Sequence, residues 1–139
     1  MSYDFIVYVR GDQLPDPSRL AAELEGCSPP VRILPGADIR QAEGFFPVEV
    51  AGRRSGFEVW RSPITGEDVA RHKATLARLG EPDDDHLTIL STCDMDMTLT
   101  CHDADEIAAA KLVAGALATL SRGFLCDPQE DVTVEGRYL

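Results

Sequence analysis

The residues best suited to chemistry lie in the run Asp94-Met95-Asp96-Met97-Thr98-Leu99. On an extended segment alternate side chains share a face, so Asp94 and Asp96 would project side by side. Such a pair can hold a divalent cation, or divide nucleophilic from acid/base duty. Four cysteines (Cys27, Cys93, Cys101 and Cys126) and His102 supply thiol and imidazole groups. Zinc sites usually draw their ligands in pairs two to four residues apart, and Cys93, Cys101, His102 and Cys126 match no such pattern. With no C-x-x-C pair, the cysteines read as reduced thiols that pack as small core residues. Asp83-Asp84-Asp85-His86 groups carboxylates, but it lacks the alternate spacing and closing glutamate of a calcium loop, so it reads as a solvated turn. His72 falls on the apolar stripe of its helix, and no thiol is selected as its partner. The sequence therefore assigns no catalytic residue, no metal and no cofactor.

The D-x-D-x-T run resembles the first motif of the haloacid dehalogenase-like phosphatases, which sits at the end of a buried strand. That resemblance implies a magnesium-dependent hydrolase, with Asp94 attacking phosphate and Asp96 protonating the leaving group. The family also needs a later Ser/Thr, a lysine and an acidic pair, and only 45 residues follow Asp94. Lys111 lies in the next helix, so the charges that phosphoryl transfer needs are not supplied. A small phosphatase or hydrolase built on Asp94, Asp96 and His102 stands as the alternative to a binding role.

A chain of 139 residues with 44% hydrophobic and 27% charged side chains has an ordinary globular composition and fits one domain, 1–139. No apolar run reaches the ~20 residues that span a bilayer, and the N-terminal run lacks a basic flank. A cytoplasmic protein is expected. Asparagine is absent and lysine occurs only at 73 and 111, as in the product of a GC-rich bacterial gene. Individual arginines therefore carry no implied choice over lysine.

Tyr3 to Val9 is β-branched and aromatic and predicts a strand. Asp16-Pro17 predicts a capped helix ending at Gly26. Val31 to Leu34, between Pro29-Pro30 and Pro35-Gly36, predicts a short edge strand. Phe45 to Val50 and Phe57 to Arg61 predict a hairpin around the loop from Ala51 to Gly56. Thr65 and Asp68 form a capping-box-like pair for a helix with Val69, His72, Leu76 and Leu79 on one face. Period-two alternation from Leu87 to Cys101 predicts a long strand, or a hairpin folded near Asp94. Asp103 and Glu106 open a helix whose apolar stripe is Ala109, Leu112, Val113, Ala116, Leu117 and Leu120. Arg122 and Gly123 close it, the glycine serving as left-handed cap. Phe124 to Cys126 and Val132 to Val134 predict short strands around a turn at Asp127-Pro128-Gln129-Glu130. The expected fold is α+β: one mostly antiparallel sheet with about three helices packed on one face.

The net charge of −11 is uneven, with residues 1–80 at −1 and residues 81–139 at −10. Such a chain repels nucleic acid and anionic membrane and attracts basic partners. The expectation is that Asp83, Asp84, Asp85, Asp94, Asp96, Asp103 and Asp105 gather into one docking face, with Trp60 or Phe46 as apolar anchor. The last 40 or so residues, with the helix from Asp103, Gly123 and Asp127-Pro128-Gln129, resemble small bacterial families of the toxin–immunity type. That resemblance implies an immunity protein that occludes a basic toxin. A homodimer through an exposed sheet face is the remaining alternative.

Overall fold

The computed structural model describes residues 2–79 and 84–127. Its strands are β1 (Tyr3–Val9), β2 (Val31–Ile33), β3 (Gly44–Val50), β4 (Arg53–Pro63), β5 (Met95–Cys101) and β6 (Phe124–Cys126). Four α-helices accompany them among the described residues: α1 (Pro17–Glu25), α2 (Gly66–Leu79), α3 (Asp84–Thr92) and α4 (Ala104–Ser121). All six strands join one antiparallel half-barrel sheet in the order β2-β3-β4-β5-β1-β6. The α+β class and the antiparallel sheet are as expected. Val132 to Val134 and most of the turn that starts at Asp127 lie outside the described residues.

The sheet has two unlike faces because its strands alternate. Phe5, Val7, Val9, Phe46, Val48, Phe57, Val59, Met97, Leu99 and Cys101 point to one side and are buried. Leu20 and Leu24 of α1 and Ala109, Ala110, Val113, Ala114 and Leu117 of α4 complete this core. The rings of Phe46 and Phe57, register partners on β3 and β4, stack at 5.7 Å. On the other side, Tyr8 and Phe124 stack at 4.9 Å and pack with Leu90, Ile6, Ile64, Val69, Ile89, Cys93 and Cys126. This second cluster brings in residues of α2 and α3, so the helices are divided between the two faces and not gathered on one. The cause lies in β1: Phe5 to Val9 is apolar without interruption, so both of its sides need cover.

The period-two reading of Leu87 to Cys101 is only half right. β5 begins at Met95, and the residues before it form α3. Within β5 the alternation is sharp: Met97, Leu99 and Cys101 are buried, and Thr98 and Thr100 are partly exposed. In α3 the same spacing was accidental, since Leu90 is the residue that enters the core.

Local signals set the element ends. Asp16 Oδ1 accepts the Arg19 amide at 2.9 Å. Thr65 and Asp68 satisfy each other's amides, at 3.4 Å and 2.8 Å. Asp103 Oδ1 accepts the Glu106 amide at 2.9 Å, and Glu106 Oε1 accepts the His102 amide at 2.7 Å. The β3–β4 turn is tighter than expected. Only Ala51 and Gly52 lie outside the strands, at φ 52° and 77°, as a type I′ hairpin turn demands. Gly56 instead lies within β4, beneath the Phe45 ring.

The C-terminus of α4 also differs from expectation. Arg122 itself takes the left-handed position, at φ 57°, and the Gly123 amide donates to Ala118 O at 3.0 Å. Gly123 serves a different need. A Cβ there would fall well inside van der Waals contact of the Tyr8 carbonyl. Only a glycine lets the chain leave α4 and pass this close to β1.

These two glycines of the α4 region should therefore behave in opposite ways. Gly123→Ala is expected to cost about 3 kcal/mol or more in urea denaturation, because backbone must shift to admit the methyl. Gly115→Ala, which meets nothing within 4 Å, should stabilise by about 0.5–1 kcal/mol through helix propensity alone.

Candidate functional site

The register defines three rows of side chains across the second face of the sheet. Phe45, Glu58, Thr100 and Asp4 form one; Trp60, Thr98, Ile6 and Cys126 the next; Ser62, Asp96, Tyr8 and Phe124 the third. The β1–β6 end of this face belongs to the cluster that α2 and α3 complete. Towards β3 and β4 the face holds the two large hydrophobics that are exposed among the described residues, Phe45 at 62% and Trp60 at 47%. Glu58 lies between them, directly across from Phe45 and two residues before Trp60 on the same strand side. His102 Nε2 is 3.5 Å from Glu58 Oε2, and Thr100 Oγ1 donates to Asp4 Oδ1 at 2.8 Å.

Where this open face meets α2 stands a polar cluster. Arg71 donates to Asp68 Oδ1 and hydrogen-bonds the Tyr8 hydroxyl. Burial, outweighing that bond, pushes the Tyr8 phenol up to about 12. Asp68 is held below the usual carboxylate range, chiefly by the Thr65 amide. Asp96 differs: its carboxyl is half-buried on the same face, and its shift owes nothing to a hydrogen bond. Burial first, and then the Asp68 charge, raise its carboxyl to about 6.

The phosphatase-like run takes a different setting from the one its resemblance implies. Asp94 and Asp96 sit at the beginning of antiparallel β5, and helix α3, not a buried strand, leads into them. Asp94 is a local fastener. Its Oδ1 accepts the Gly11 amide at 2.9 Å, its amide donates to Val9 O at 3.1 Å, and its carbonyl accepts from Ile64 at 3.2 Å. It also lines a cleft of about 540 Å³ with Gly11, Arg61, Ser62, Pro63 and Met95.

Asp94 and Asp96 do not gather with Asp103 and Asp105 into the one face expected. Asp83 lies outside the described residues, while Asp84 and Asp85 open α3. Asp94 and Asp96 are at one end of β5; Asp103 and Asp105 follow its other end, roughly 20 Å away at ~3.3 Å per residue. Asp105 faces Arg53 at 3.8 Å, beside the β3–β4 turn. The anchors are likewise half as expected. Trp60 is exposed, but Phe46 is a core residue at 2% exposure and its neighbour Phe45 is the exposed one. That signal was available: Phe46 shares parity with Val48 and Val50, and Phe45 with Pro47 and Glu49.

The thiols are divided between the two faces of the sheet, Cys27 and Cys101 on one and Cys93 and Cys126 on the other. Cys93 donates to Ile89 O at 3.3 Å and Cys101 to Tyr3 O at 3.2 Å. Burial pushes the Cys93 thiol up to about 11 and the Cys101 thiol to about 12, away from nucleophilic character. Among the described residues no three His, Cys, Asp or Glu side chains come together as metal ligands. No helix among them is long and apolar enough to cross a membrane. Compared with family models, curated proteins and solved structures, the chain matches none.

Asp96 makes stability pH-dependent in a definite direction. Its folded value, about 6, lies above the ordinary 3.8, so the folded state holds the extra proton between those values. Its contribution is greatest below about pH 4 and is lost as pH rises through 6. Asp96→Asn should stabilise the protein at pH 7 by about 1 kcal/mol, after allowance for solvent screening. The difference should vanish near pH 4, as read by urea melts at both values.

Proposed function

We propose that this chain is a non-enzymatic protein-binding domain, acting in the manner of an immunity protein that neutralises a basic toxin by covering it. The observation that carries this reading is the pair Phe45 and Trp60, two large aromatics exposed together on one open sheet face. An exposed tryptophan loses hydration cheaply and presents a broad rigid surface, which is why aromatics dominate the energetics of protein interfaces. The strands beneath are fixed on their other side by the main core, so the docking surface is preformed. A face of this kind blocks a partner by occlusion and requires no reactive group. The overall negative charge adds to the rate at which a basic partner arrives.

The test is co-expression with the product of the adjacent reading frame, followed by co-purification and by rescue of growth where that product is toxic. A stable complex is expected, with Trp60→Ala and Phe45→Ala each weakening it by about 2 kcal/mol, roughly thirtyfold. Neither variant should shift the melting temperature by more than about 2 °C, since both side chains are at the surface. Self-association of the chain alone through this face, seen by sedimentation and lost in Trp60→Ala, would replace the blocking role with a homodimer.

A further inference from the structure

Around Trp60 the sheet is acidic in its detail. Glu58 lies one strand repeat away on the same face, and Asp96, the register partner of Ser62, lies diagonally across. Several cations near this face among the described residues lie at a distance or are engaged. Arg32 is paired with Glu49 at 2.7 Å, and Arg54 stands six residues back along β4, about 20 Å from Trp60. Arg71 is held by Tyr8 and Asp68, and His102 stands beside Glu58. An indole face next to a carboxylate is the complementary environment for a guanidinium or ammonium group, which gains from the ring quadrupole and the charge together.

We infer that the docking face recognises a basic polypeptide segment, with one arginine or lysine side chain lying on the Trp60 indole and its charged head reaching Glu58. This rests on the docking role proposed above and adds the chemistry of its partner. Phe45, on the opposite flank of Glu58, then takes an apolar neighbour of that cation in the same segment. The Glu58 carboxylate, now 3.5 Å from His102, exchanges that partner for the incoming cation.

Trp60 is the only tryptophan in the chain, so its fluorescence reports this place alone. The probe is a nona-arginine peptide titrated into the full chain at fixed low salt, with nona-glutamate as control. Nona-arginine is expected to give a saturable change in emission and nona-glutamate none. Glu58→Gln should weaken binding roughly three- to fivefold, the size of one exposed ion pair. Glu23→Gln with Glu25→Gln, which removes more charge from exposed positions of α1 on the opposite side of the sheet, should leave it within about 1.5-fold. Circular dichroism melts of each variant exclude misfolding as the cause of a loss. Equal weakening by Glu58→Gln and by the distant pair would reduce the effect to diffuse charge and overturn the cation seat. A neighbour-encoded protein that binds through Trp60 but is indifferent to Glu58→Gln would also overturn it, while leaving the docking role in place.

Discussion

The constraint on which the rest of the molecule depends is the two-sidedness of β1. Phe5, Val7 and Val9 enter the main core, while Ile6 and Tyr8 enter the smaller cluster on the reverse side. Each large apolar side chain removed from water is worth about 1.5–3 kcal/mol, so neither side can be left open cheaply. Covering the first side requires α4, whose small residues Ala109, Ala110 and Ala114 let it lie close to the strands. Covering the second requires residues of α2 and α3, while β6, paired beside β1 and following directly from α4, lays Phe124 on Tyr8. The link between α4 and β6 is the turn Arg122-Gly123, where the backbone comes so near Tyr8 that no side chain fits. What remains uncovered is the β3–β4 part of the reverse face, and that remainder is the candidate docking surface.

Much of this architecture was legible in the residues, and the failures have identifiable causes. Caps read correctly wherever a short polar side chain preceded a helix, at Asp16, Thr65 and Asp103. Strand pairing within β3 and β4 was legible from two alternating runs around a glycine. The region before β5 misled because Leu87, Ile89, Ser91 and Cys93 alternate by chance with polar residues, and a nine-residue helix is too short to show its own period. Gly56 read as a turn residue, although its lack of a side chain makes room for Phe45. Gly123 read as the left-handed cap, although Arg122 accepts that strain and the glycine relieves a collision. In both cases the sequence marks a glycine as necessary without saying which of its properties is needed.

The candidate site was less legible than the fold. Trp60 emerged as an anchor from its place in a strand, but the choice of Phe46 ignored the parity set by Val48 and Val50. The carboxylates posed a harder problem, since adjacency in sequence says nothing about direction in space. β5 separates Asp94 and Asp96 from Asp103 and Asp105 along its length, so these four carboxylates do not act as one patch. Glu58 drew no attention in the sequence, because its significance comes from neighbours supplied by β3 and β5.

Pro47 stands opposite Gly56 in β3, beyond the stretch that β2 pairs. The bonded pairs of the hairpin fall at Val50 and Arg53, Val48 and Ser55, and Phe46 and Phe57, so position 47 turns its backbone outward, away from β4. Proline there removes one of the amides that a visiting strand would seek, at no loss to the sheet. Recognition by main-chain zippering is thereby discouraged along this border, and selectivity passes to side chains. A family built on this scaffold could change allegiance from one partner to another by exchanging a few surface residues, leaving its folding untouched.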